Sequence, residues 1–268
     1  MHKFLRAIGF SDITKKDLEM ILDEVITRPE IMKITKDSEG NEFAELSGSF
    51  AANAGITVRG TYQEDDSFHM DYYYPYVFGT SITTNEQIDV EKHAEKESYA
   101  GVCDEVNLGV TLIFYIQNVA DYLAETNRHL SKIHYGAMLA GLSTEGKILC
   151  PVVERKKNDV PAIQKNDRHN QLIAQAREGD EDAIESLTLE DMDTYALLSQ
   201  RVMKEDIFSI VKSTFMPFGI ESDQYTVLGE IIDCVTMENR LTHEKLYGMK
   251  LLCNNIQFDV CINEKDLL

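Results

Sequence analysis

Tryptophan is absent from this chain, which removes the commonest stacking platform for sugars, although twelve tyrosines remain. Basic residues are scarce: 26 Lys and Arg stand against 46 Asp and Glu, a formal charge of −20. Such a field repels polyanions, so neither nucleic acid nor an anionic membrane surface is an expected partner. No apolar run approaches the roughly 18 residues of a membrane-spanning helix. The best candidate, "GVTLIFYI", is strand-sized. The opening "MHKFLRAIGFSDITKKDLE" turns charged too soon to read as a signal peptide. Five cysteines, odd in number and widely spaced, argue against a disulfide framework and for a reducing cytoplasm.

What is present is enough for a core. Apolar residues make up 43% of 268 positions, which suits one large domain or two modest ones. Thr14, with Asp17 three residues on, can cap a helix from about Lys15 to Ile26, whose apolar stripe is Leu18, Ile21, Leu22 and Val25. Strand signals follow. "IMKIT" and "EFAEL" flank the turn "KDSEGN", and "YGAMLAGLS" and "KILCPVV" flank "TEG", so both read as hairpins. The polar stretch from Thr83 to Ser98 reads as a loop or a solvated helix.

The stretch "FHMDYYYPYVFG", residues 68–79, is the most site-like in the chain. Paired across Glu64, Asp65 and Asp66 with "GITVRGTYQ", it places Tyr62 opposite Phe68 and Val58 opposite Tyr72. One face then carries Ile56, Val58, Tyr62, Phe68, Met70, Tyr72 and Tyr74. The other carries Thr57, Arg59, Thr61, Gln63, His69, Asp71 and Tyr73, with Arg59 across from Asp71. Pro75 ends the pairing or marks a sheet edge. A structural strand is the plain reading, and Arg59, His69, Asp71 and Tyr73 are the ligand-binding candidates.

Residues 154–170, polar and locally basic around Pro161, read as a linker. Beyond it, Glu178 to Asp193 holds eight acids and no base. Asp180 and Thr188 can cap two helices there, and Glu181, Asp182, Glu190 and Asp191 offer a charged partner surface. A calcium loop does not fit, because Ile184 takes a ligand position and no glycine follows. The remainder reads as a meander of "YTVLGEIIDCV", "EKLYGMKLLC" and "IQFDVCIN", with Asn254-Asn255 as a two-residue turn and Gly229 as a bulge or bend. Its register aligns Tyr247, Met249, Leu251 and Cys253 with Ile262, Val260, Phe258 and Ile256, and Lys250 with Asp259. The chain stops just after a strand, as though a further strand were wanting.

Sites with a recognisable chemistry are not found in the sequence. No metal pattern exists, and Cys253 and Cys261 lie on opposite faces of their hairpin. His129 and His134 read as surface or capping residues. No P-loop or dinucleotide fingerprint occurs, and "GSFAANAG" lacks the lysine a phosphate cradle needs. Ser49 and Cys103 are the nearest to nucleophiles, with no companion base identifiable.

Four motifs in order, "MHKFLRAIGF", "GVCDEVNLGVTLIFYIQN", "AREGDEDAIESLTLEDMDTY" and "FDVCINEKDLL", resemble a bacterial family of clostridial type, domain of unknown function 3881. The likeness covers essentially the whole chain. It implies no activity, cofactor or catalytic residue. It also implies members running on past "KDLL" with another strand-like stretch, so an incomplete last domain is expected here.

The resulting expectation is a cytoplasmic α+β protein of two antiparallel-sheet units with a few helices. Residues 1–153 form the first unit; 171–268 form the second, acidic helices followed by a barrel-like meander. The expected role is non-enzymatic binding or assembly, through a protein partner or self-association, with no cofactor, no metal and no membrane. The alternative is a small-molecule binder or hydrolase using the polar face around His69 and Tyr73. A third reading, RNA contact through 154–170, runs against the net charge.

Overall fold

The structure, a computed structural model, describes residues 2–36, 40–92, 98–127, 136–149, 214–218 and 223–268. The linker 154–170, both acidic helices, His129 and His134 lie outside them. After a short 3-10 helix, Lys3–Ile8, come α1 (Lys15–Thr27), β1 (Ile31–Lys36), β2 (Glu42–Ala51), β3 (Ala54–Tyr62) and β4 (Phe68–Val77). Then follow β5 (Asp89–Lys92), β6 (Tyr99–Glu105), β7 (Val110–Tyr115), α2 (Val119–Asn127) and β8 (Ala140–Ser143). The last part holds β9 (Thr214–Pro217), β10 (Tyr225–Leu228), β11 (Glu230–Glu238), β12 (Lys245–Cys253), β13 (Ile256–Asn263) and a 3-10 turn, Glu264–Asp266. The class is α+β, built on sheets whose pairings are antiparallel except where β8 meets β13.

Local signals act as expected at α1. The Thr14 hydroxyl accepts from the Asp17 N–H at 3.2 Å, and the Asp17 carboxylate accepts from the Thr14 N–H at 2.9 Å, a complete capping box. The helix lays Leu18, Ile21, Leu22 and Val25 on the first sheet, ordered β1-β2-β3-β4, where they meet Leu46, Phe50, Ile56 and Val58. Pro75 sits in β4, an edge strand of that sheet, where its missing N–H is tolerated. The second sheet, β5-β6-β7, includes a strand where a loop or helix was expected, at Asp89–Lys92.

The meander β11-β12-β13 has the expected register: Tyr247 faces Ile262, Met249 faces Val260, Leu251 faces Phe258, Cys253 faces Ile256, and Lys250 faces Asp259. Asn254 and Asn255 both take positive φ, 43° and 70°, as a tight hairpin turn requires. Gly229 divides the expected first strand in two. β10 pairs with β9 while β11 pairs with β12, and a Cβ at Gly229 would lie 2.9 Å from the Leu252 carbonyl oxygen. The irregularity inside β11 falls at Ile232.

Two expectations are not met among the described residues. Among the described residues the meander is an open sheet rather than a barrel, with β11 and β8 as its edges. The "TEG" hairpin is not formed either: β8 runs parallel to β13, and Gly146 and Ile148 hydrogen-bond to Asp266 and Leu268. The flank of β13 away from β12 is occupied by β8, a strand from far upstream. The same core holds both ends of the chain: Leu5 and Ile8 pack with Leu246 and Cys261. Arg6 pairs with Asp266, and Asn239 Nδ2 donates to the Ile8 carbonyl at 2.7 Å.

Candidate functional site

The register of β3 and β4 decides the fate of the candidate residues. Near the turn it is as expected, with Tyr62 opposite Phe68 and Gly60 opposite Met70. Asp71 is then left without an opposite number, and Arg59 faces Tyr72 while Val58 faces Tyr73. One extra residue in β4 is a β-bulge, and it reverses every side chain beyond it. Gly60 makes this possible, since a Cβ there would fall on the His69 carbonyl oxygen. The expected pairing of Arg59 with Asp71 is therefore replaced by Arg59 with Tyr72 and Tyr74.

The four candidates are not brought together. Tyr73 turns to the core face and packs beside Val58. His69 is exposed, its Nε2 3.9 Å from Asp71 Oδ1 on the solvated hairpin. Arg59 is only 2% exposed, on the opposite face of the sheet from Tyr73.

Around Arg59 the structure builds a polar joint. Its guanidinium lies 2.8 Å from Glu45 Oε2 and donates to the Tyr72 hydroxyl at 2.5 Å and the Tyr74 hydroxyl at 2.7 Å. It also donates to the Gln117 carbonyl at 3.0 Å, and Tyr74 donates to that oxygen at 2.8 Å. The guanidinium sits 4.8 Å from the Tyr74 ring centroid, a cation–π contact. Glu45 Oε2 accepts from the Ala120 N–H at 3.2 Å, so a carboxylate stands at the positive end of α2. Lys33, on the same face, reaches Asp121 at 2.6 Å. Below them the Ser47 and Thr57 hydroxyls meet at 2.8 Å.

Burial pushes the Glu45 carboxyl up, with Arg59 and the Ala120 N–H pulling it back part of the way. Burial also drives the Tyr74 phenol well above its ordinary value. A phenol held neutral and a guanidinium covered by protein do not form an acid–base pair for a solvent-borne substrate. They fasten the β7–α2 connection to the back of the first sheet. Sequence reasoning missed Glu45, Tyr72 and Tyr74. Glu45 was legible from the β2–β3 register, but the tyrosines depended on the bulge.

The nucleophile candidates fare similarly. Burial and the neighbouring Glu105 and Glu86 push the Cys103 thiol up to about 11, so it is a thiol and not a thiolate at neutral pH. Ser49 Oγ lies 3.3 Å from the Tyr76 hydroxyl. Elsewhere an open groove of about 390 Å³ lies beside α1, lined by Phe10, Ile13, Met20 and Leu241 together with the acids Asp12, Asp17 and Glu24. Among the described residues no group of His, Cys, Asp and Glu is arranged to hold a metal ion, and no helix is long and apolar enough to cross a membrane.

Fold and joint together define an α+β protein whose most site-like polar cluster is built into its interior. The chain belongs to the family described as "Domain of unknown function, E. rectale Gene description" (DUF3881), whose model matches residues 5–268. No curated protein and no solved structure matches it.

Proposed function

We propose that this chain is a non-enzymatic, cytoplasmic binding or assembly protein. One observation carries the reading: the core face of the first sheet continues past α1 into solvent. Met32, Ile34, Tyr62 and Met70 are 52%, 47%, 38% and 36% exposed, and all stand on the face that buries Leu46 and Val58. The Tyr62 hydroxyl lies 3.8 Å from Met32 Sδ, and the Tyr62 and Phe68 rings are 5.1 Å apart. A contiguous apolar patch of this kind is characteristic of a protein-binding surface. The acidic residues Glu181, Asp182, Glu190 and Asp191 are proposed as a second, electrostatic contact for a basic partner.

The test is capture from native lysate with the full chain, compared with a variant carrying Lys at those four positions and another carrying Met70→Lys. Loss of a reproducible partner in either variant supports the reading. Unchanged capture by both overturns it. The small-molecule alternative retains only the exposed His69–Asp71 proximity, and a ligand mass of a few hundred daltons on the native protein would favour it.

A further inference from the structure

We infer that the groove beside α1 docks a basic amphipathic helix of a partner protein; this rests on the binding reading above and adds a surface to it. One side of the groove is a single face of α1, since Asp17, Met20, Ile21 and Glu24 stand at the i, i+3, i+4 and i+7 positions that share a helix face. Leu18, Leu22 and Val25 turn to the sheet instead. Buried Phe10 and Ile21 form the floor. Met20 on α1 and Leu241 on the β11–β12 turn are 54% and 42% exposed beside it. The side opposite α1 is held in place. Asn239, fully buried, accepts from the Leu241 and Thr242 N–H groups at 2.9 and 3.1 Å and donates to the Ile8 carbonyl. The Thr242 hydroxyl donates to the Gly9 carbonyl at 2.6 Å. A groove formed in advance spares its ligand the cost of ordering it.

The lining sets the chemistry of the occupant. It holds five apolar side chains, three carboxylates and no cation. Asp12 and Glu24 each have one exposed cation outside the groove, Lys265 at 3.0 Å and Arg240 at 3.1 Å, and Lys265 is shared with Glu244 at 2.8 Å. Exposed pairs of this kind are weak and exchange partners at little cost. Asp17 has no ion pair among the described residues. Its two bonds, from the Thr14 hydroxyl at 2.7 Å and N–H at 2.9 Å, both fall on Oδ2 and hold the carboxyl below its ordinary value. Asp17 and Glu24 lie about 10 Å apart along α1, one turn to either side of Met20 and Ile21. A partner helix lying along this face therefore presents apolar residues to Met20, Ile21 and Leu241, and a Lys or Arg one turn before and after them. The pattern is Lys-x-x-Leu-Leu-x-x-Lys, which is the same in either direction. An acidic segment is repelled by the lining and by the charge of −20 on the chain.

The experiment is fluorescence anisotropy of the full chain with a labelled, helix-stapled peptide of that pattern. Two control peptides carry Glu in place of both Lys, or Ser in place of both Leu. Saturable binding is expected for the first peptide alone, weakening as salt is raised. Met20→Lys and Leu241→Lys, both at exposed positions, should each weaken it roughly tenfold or more with the circular dichroism spectrum unchanged. Met70→Lys, on the first sheet, should leave it as in wild type. Absence of saturable binding overturns the site. Equal binding of the Ser peptide also overturns it, because charge alone would then suffice. Binding that neither Met20→Lys nor Leu241→Lys weakens lies elsewhere on the protein and overturns it too. Should Met20→Lys fail to fold, Leu241→Lys carries the test. Capture from lysate that still depends on Met70 or on the four acidic residues would show that a silent groove fails alone and leaves the binding reading in place.

Discussion

Arg59 and Glu45 stand face to face under α2 with almost no water contact, and the energetics of such a pair are asymmetric. Removing one partner leaves a buried charge uncompensated, at about 3–5 kcal/mol, whereas replacing both by apolar groups is often nearly neutral. Arg59→Met should therefore lower the stability of the protein by that amount in a urea titration, and Arg59→Met with Glu45→Leu should recover most of the loss. A single variant as stable as wild type would refute the joint. The cysteines give a second prediction. Cys234 is exposed, whereas Cys103, Cys253 and Cys261 are buried, so among these four a thiol reagent at pH 8 should modify Cys234 first. Burial pushes the Cys261 thiol up to about 12 and the Cys103 thiol to about 11, from an ordinary value of 9.0. The folded state thus holds these protons longer than the unfolded one. Their contribution is complete below pH 9, and stability should fall as the pH rises from there towards 12. A flat stability profile over that window would contradict the assignment.

The hairpin β3–β4 shows how one residue governs an element. Asp71 is the bulged position, and it lets Phe68 and Met70 share the apolar face while Tyr72 and Tyr74 reach Arg59 on the other. Deleting Asp71 would remove the extra residue and leave Tyr72 opposite Arg59 in an unbroken ladder, so cooperative unfolding, read by circular dichroism, should be kept. Gly60→Ala drives a Cβ onto the His69 carbonyl, at a cost of about 1–3 kcal/mol. By contrast the β12–β13 hairpin has a turn whose two asparagines already take positive φ, so Asn255→Gly should leave stability unchanged or slightly raised. Neighbour-to-neighbour pairing of this kind is what a single sequence displays. Both hairpin registers were readable up to the bulge, because alternation and turn residues are local signals.

For the molecule as a whole, the decisive contacts join residues more than a hundred positions apart. β8 completes the sheet of β13, Leu246 and Cys261 complete the core beneath the N-terminal helix, and Tyr225 donates to the Ile113 carbonyl at 3.1 Å. Residues 1–153 expressed alone should accordingly fail to give a cooperative thermal transition, despite containing the whole first sheet. A sharp transition matching that of the full chain would establish the first part as an independent unit. Leu246→Ala should destabilise the full chain by about 2–5 kcal/mol, because its cavity opens in the core shared with Leu5 and Ile8.

The amino-acid sequence by itself determined the acidic balance, the capped helix at Thr14, the strand-rich character and the register of the last hairpin. Each depends on composition or on residues a few positions apart, and such interactions have the same sign wherever the segment is placed. It also contained the family likeness, borne by motifs distributed along the chain and matched over residues 5–268. Only the tertiary structure decided that Arg59 is covered, that Gly229 passes the chain from one sheet to another, and that β8 lies parallel to β13. Those outcomes depend on which surface covers each face of a strand. A bulge or a strand exchange costs little locally and is selected by the apolar area and buried polar groups that it satisfies at a distance.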